Sequence, residues 1–134
     1  MPNALYDFGR ENFLSGQINW LTDNIKVSLI DTDDYTIDLQ NHEFFSSIPS
    51  AAIIATATLE NKTSDAGIAD ADDILFTSVV GDVAEALVIW KDTGLSTTSP
   101  LIAYMDAASG LPIVPNGGDI TIQWDNGTNR IFKL

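Results

Sequence analysis

Cysteine is absent from the 134 residues, histidine occurs once, and only 6 basic side chains stand against 19 acidic ones. Each shortage removes a class of chemistry. Without cysteine there is neither a disulfide nor a thiolate zinc site. A net charge of −13 leaves few Lys and Arg for phosphate binding, so a nucleic-acid surface is not expected. The single histidine, His42, cannot form a His-x-x-x-His pair, and no Gly-x-Ser-x-Gly elbow is present to expose a nucleophilic serine. No apolar run approaches the ~20 residues of a membrane span. Met1-Pro2-Asn3-Ala4 also lacks the basic and apolar regions of a secretory signal. The expectation is a soluble protein made in the cytoplasm, with no membrane partner.

What is there is a foldable chain. At 45% hydrophobic residues it can bury a core, and its length fits one domain over 1–134. The closing stretch carries the clearest pattern. Pro115-Asn116-Gly117-Gly118 turns into Asp119–Trp124, where Ile120, Ile122 and Trp124 alternate with Thr121 and Gln123. Asn126-Gly127 suits a tight turn into Arg130–Leu134, so this region reads as a β-hairpin. Further strands are predicted at Ile25–Ile30, Tyr35–Leu39, Ala52–Leu59, Ile74–Val79, Glu85–Lys91 and Leu101–Met105. Glu85–Lys91 is almost continuously apolar, as in a strand covered on both faces. Residues 1–16 form the one helical segment, with Asn3 as its cap and Ser15-Gly16 as its stop. Gly9 in its middle costs about 1 kcal/mol relative to alanine. The fold class is therefore all-β: a sandwich or barrel of short, mostly antiparallel strands with one short N-terminal helix.

The acidic clusters fail the test for a calcium loop. Counting from Asp70, positions 5, 6 and 12 are Ile74, Leu75 and Gly81, where an EF-hand needs an oxygen ligand, glycine and glutamate. Asp31, Asp33 and Asp34 fail likewise at Tyr35 and Thr36. They read as solvated loops, and neither a metal nor a cofactor is expected. His42 reads as a polar cap rather than a base, since Ser46 and Ser47 are only its neighbours in sequence. Trp20, Trp90 and Trp124 read as core or interface anchors before a sugar-stacking platform. No catalytic residue emerges, and the chain is not expected to be an enzyme.

Several motifs together carry a resemblance. They are Ala4-Leu5-Tyr6-Asp7 with Gly9-Arg10, Phe13-Leu14 with Gly16, Ile18 and Trp20, and Gly67 with Ala69–Asp73. Glu85-Ala86-Leu87, Gly110-Leu111-Pro112, Pro115–Ile120 and Trp124 through Leu134 complete them. Taken end to end, the chain resembles a group of small virion structural proteins encoded by tailed bacteriophages and prophages. The resemblance implies a virion component made in the host cytoplasm, with the major capsid protein or other virion proteins as partners. A cement or decoration protein on the outside of the capsid is the first expectation. A neck, tail or fibre-associated subunit is the second, and a receptor- or carbohydrate-binding module is the reading from another class. Symmetric use of virion subunits adds an expectation of a homo-oligomer. Tyr6, Phe8, Phe13 and Trp20 are the candidate docking residues.

Overall fold

The computed structural model describes residues 4–106, 111–124 and 130–134. The chain runs β1 (Ala4–Leu5), α1 (Asp7–Leu14), β2 (Ile25–Ile30), β3 (Ile53–Thr58), β4 (Ile68–Ala69), β5 (Ile74–Phe76), β6 (Ala86–Lys91), β7 (Leu101–Met105), β8 (Ile120–Ile122) and β9 (Phe132–Lys133). Five strands form one antiparallel sheet in the order β1-β7-β6-β2-β3. Two small antiparallel ladders, β4-β9 and β5-β8, accompany it. Among the described residues the chain is all-β with one short α-helix. Among the described residues no helix is long and apolar enough to cross a membrane.

The apolar run of β6 explains the layering. Successive side chains on a strand point to opposite faces, so Leu87 and Ile89 enter one core while Ala86, Val88 and Trp90 enter another. Both sets are buried, as the unbroken apolar reading of this strand requires. The first core lies between the large sheet and the two ladders, with Ile74, Phe76, Ile122 and Trp124 contributed by the ladder side. The second lies under the segment after β2, which supplies Tyr35, Ile48 and Ala52. Two register shifts, at Leu29/Ile30 and Ile89/Trp90, interrupt the ladders of the sheet.

The second core contains a polar seam that must be satisfied. Ser28 is fully buried, and its hydroxyl accepts the Trp90 indole N–H at 3.0 Å and shares a 2.8 Å hydrogen bond with the Thr56 hydroxyl. Phe45 stacks on Trp90 with centroids 3.8 Å apart, closing that indole off from water. Ser28→Ala would leave the indole N–H orphaned, a loss of about 1–3 kcal/mol. Urea denaturation checks this: the midpoint should fall with an unchanged slope, and an unshifted midpoint would contradict it.

The structure departs from the sequence reading at three places. The C-terminal runs do not pair with each other: β8 pairs with β5 through Ile74↔Ile122, and β9 pairs with β4 through Ala69↔Phe132. An isolated hairpin buries little, whereas separate partners let each run cover part of the large sheet. The intended turn at Asn126-Gly127 lies outside the described residues. Tyr35–Leu39 is irregular rather than a strand. The Asp38 carboxylate accepts the Gln40 and Asn41 backbone N–H groups, drawing the chain into an Asx turn instead of a ladder. Finally, Ala4 and Leu5 pair with β7, and α1 begins only at Asp7 with Tyr6 in the N-cap position. Asn3, the expected cap, lies outside the described residues. The stop at Gly16 holds as expected. Its N–H reaches the Phe13 carbonyl and the Gln17 N–H reaches the Asn12 carbonyl, the two bonds of a Schellman ending.

Candidate functional site

Of the four docking candidates, the fold turns two inward. Tyr6 is fully buried and Trp20 is 6% exposed, so both hold this chain's own core together. Phe8 and Phe13 are half-buried. The Trp20 indole N–H donates to the Thr63 carbonyl at 2.9 Å, and its ring meets Phe132 edge-on at 5.2 Å. Phe13 also packs against Phe132, with ring centroids 5.9 Å apart. Trp124 is tied similarly, its indole N–H donating to the Asp72 carbonyl and its backbone N–H to the Asp73 carboxylate, both at 3.0 Å. Part of the acidic loop at 70–73 thus brackets tryptophans.

Beside Phe13 the surface becomes apolar and concave. Leu14, at the end of α1, is 90% exposed, Leu134 60% and Leu21 50%. Two adjoining grooves, of about 330 and 360 Å³, share Phe13 and Leu134 in their walls. One continues to Trp20, Leu21 and Phe132, and the other to Leu5, Leu14, Arg10 and Lys133. This surface exists because the Schellman ending turns the chain sharply after Leu14, leaving that side chain without a neighbour to cover it. Sequence reasoning found Phe13 and Trp20 here but missed Leu14, Leu21, Leu134 and the two cations. Position next to a helix stop was the one available signal.

A second feature is an acidic corner. The β2-β6 pairing sets the loop after Ile30 against the approach to Ala86, with the Glu85 N–H donating to the Ile30 carbonyl at 3.0 Å. Carboxylate oxygens of Asp31, Asp34 and Asp82 lie within 4.8 Å of one another, as do those of Asp31, Asp33 and Glu85. Burial, reinforced by the charges of Asp31 and Asp33, pushes the Glu85 carboxyl above its ordinary range. The Asp31 carboxylate already accepts the Asp33 N–H at 2.9 Å, which shapes the turn. Hard oxygen donors of this kind suit divalent cations in principle. The sequence could not join these groups, since roughly fifty residues separate them.

His42 ends a buried chain of hydroxyls. Its Nδ1 lies 2.8 Å from the Tyr35 hydroxyl, which shares a 2.9 Å hydrogen bond with the Tyr6 hydroxyl. Burial pushes the Tyr35 phenol up to about 12 and raises Tyr6 and Tyr104 as well. Phenols held protonated in this way are poor bases and poor nucleophiles. The chain fastens the segment after β2 to α1, as a cap does. No protein-family model matches this sequence, and no curated protein matches it either.

Proposed function

We propose that this chain is a non-enzymatic structural component of a bacteriophage virion, a decoration protein that sits on the outside of the capsid shell and staples neighbouring subunits. The virion setting comes from the resemblance of its motifs. The observation on the molecule that carries the reading is the exposed apolar surface around Leu14, on a body whose tryptophans and tyrosines are turned inward. Contiguous exposed apolar surface rimmed by polar groups marks a site of protein association. A net charge of −13 suits the outer side of a shell better than contact with packaged DNA. All three tryptophans and all three tyrosines are at most 7% exposed. A sugar-stacking groove would need such rings at the surface, which weighs against the glycan-binding alternative.

The mechanism is mass action. A ligand that binds only the assembled lattice stabilises it by its binding free energy, about 2.7 kcal/mol at a hundredfold excess over Kd. Shells assembled without this protein should bind it at a fixed, saturable ratio in co-sedimentation and should then melt at a higher temperature. Pelleting with isolated tails or necks instead would move the protein to those structures. Binding to neither would overturn the virion role.

A further inference from the structure

Resting on that reading, we infer that the twin groove around Phe13, Leu14 and Leu134 is the face that engages the shell, and that its occupant is an apolar segment of the shell subunit carrying acidic side chains. Charge placement supports this choice of partner. The chain has 6 cations among 19 acids. Three of them are spent on the body: Lys26 pairs with Asp92 at 2.9 Å, Lys91 pairs with Asp23 at 3.1 Å, and Lys62 bonds the Asp23 carbonyl. Two others, Arg10 and Lys133, stand at the rim of the apolar groove. Arg10 holds Asp7 at 3.2 Å, but both side chains are more than half exposed. A pair of that kind is weak and exchanges readily for a better-desolvated carboxylate. On an otherwise acidic surface, an acidic partner is repelled nearly everywhere and drawn to this rim.

The groove also has the build of an anchoring site. Its floor is held rigid by the Phe13–Phe132–Trp20 ring contacts and by the Trp20 hydrogen bond to the Thr63 carbonyl. An ordered floor spares the ordering cost that binding would otherwise carry. Leu14 supplies an exposed apolar side chain for the partner to cover, with Arg10 alongside to donate to a carboxylate. Apolar or aromatic centres beside arginine are where interface energy concentrates.

The test uses full-length protein and shells assembled without it, with affinity measured by co-sedimentation. Leu14→Asp and the double change Arg10→Glu with Lys133→Glu should each weaken binding by about tenfold or more, since the first removes the apolar anchor and the second turns the attraction of the rim into repulsion. All these side chains are exposed, so melting of the free variants should stay close to that of the parent. Wild-type affinity should fall as NaCl rises from roughly 0.05 to 0.5 M. Val114→Asp places the same new charge on a valine that is 73% exposed and not in the groove walls, and should bind as the parent does. Parent-like binding by the groove variants, or an equal loss in Val114→Asp, would overturn the inference while leaving the decoration role intact. Sedimentation showing that Leu14→Asp dissolves a dimer of the free protein would overturn it too, by giving the groove to a second copy. Failure of the wild type to bind shells would remove the reading and the inference together.

Discussion

Gly9→Ala should destabilise the protein by about 2 kcal/mol or more, although the same change in an exposed helix would stabilise it by about 1 kcal/mol. Gly9 sits where α1 crosses β7. A Cβ added there would lie 2.8 Å from the Leu101 carbonyl oxygen, 2.9 Å from the Ile102 carbonyl oxygen and 3.1 Å from the Ile102 Cα. Every one of these atoms is backbone in a buried strand, so none can rotate away. Relief must come from lifting α1 off the sheet, which also strains the Tyr6 N–H to Ile102 carbonyl bond of 2.9 Å. Overpacking costs 1–3 kcal/mol in typical cores. Contact with rigid backbone belongs at the upper end, and the helix-propensity gain of about 1 kcal/mol offsets only part of it. Gly16→Ala is the control. Gly16 has φ +79° with nothing within 4 Å of an added Cβ, so its cost is the left-handed strain alone, about 1–2 kcal/mol. Urea denaturation of the two variants decides the matter: a Gly9→Ala protein as stable as the parent would mean that α1 does not approach β7 so closely.

The second large effect is alkaline. All three tyrosines of the chain have phenols raised by burial, with Tyr35 at about 12 and Tyr6 and Tyr104 also above the ordinary value of 10. Unfolded tyrosine loses its proton near pH 10, while the folded protein retains it. Above that pH the unfolded state binds fewer protons, so stability falls as pH rises. Below pH 10 the contribution is fully present. Each such group contributes about 1.4 kcal/mol per pH unit between its unfolded and its folded pKa. Lys62 acts in the opposite direction, because burial lowers its ammonium pKa and the unfolded state then holds the extra proton. That offsets one proton at most. Tyrosinate absorbance and circular dichroism should therefore change together in a single steep step above pH 10. One or more tyrosines ionising near pH 10 with the fold intact would contradict this burial pattern.

The two effects differ in how much of them the sequence could announce. Gly9 was visible as a helix-weakening residue, yet its sign depends on β7, about ninety residues away. The alternation of Ile25–Ile30 and the apolar runs of Glu85–Lys91 and Leu101–Met105 read correctly because a strand buried by its own pattern needs no knowledge of its partner. The C-terminal hairpin read incorrectly for the complementary reason. Alternation at Ile120–Trp124 says that a strand forms, and a turn signal says that the chain reverses. Neither says which neighbour supplies the hydrogen bonds. Tyr35–Leu39 alternates as well, but Asp38 satisfies the following amides locally, and a hydroxyl chain through Tyr6 and His42 fixes Tyr35 in the core without a ladder.

Composition and local pattern alone determined the exclusions and the class. They ruled out cysteine chemistry and left no paired-histidine motif, placed an acidic surplus on a foldable chain, located most strands, and stopped the helix at Gly16. Those properties depend on residue type and on spacing within a few residues, which the chain carries wherever it goes. Tertiary structure alone decided that Tyr6 and Trp20 face inward, that Asp31, Asp33, Asp34, Asp82 and Glu85 meet, and that Leu14, Leu134, Arg10 and Lys133 share one surface. These are matters of long-range register and packing. Which side chains are left uncovered depends on where every other element has already found its partner.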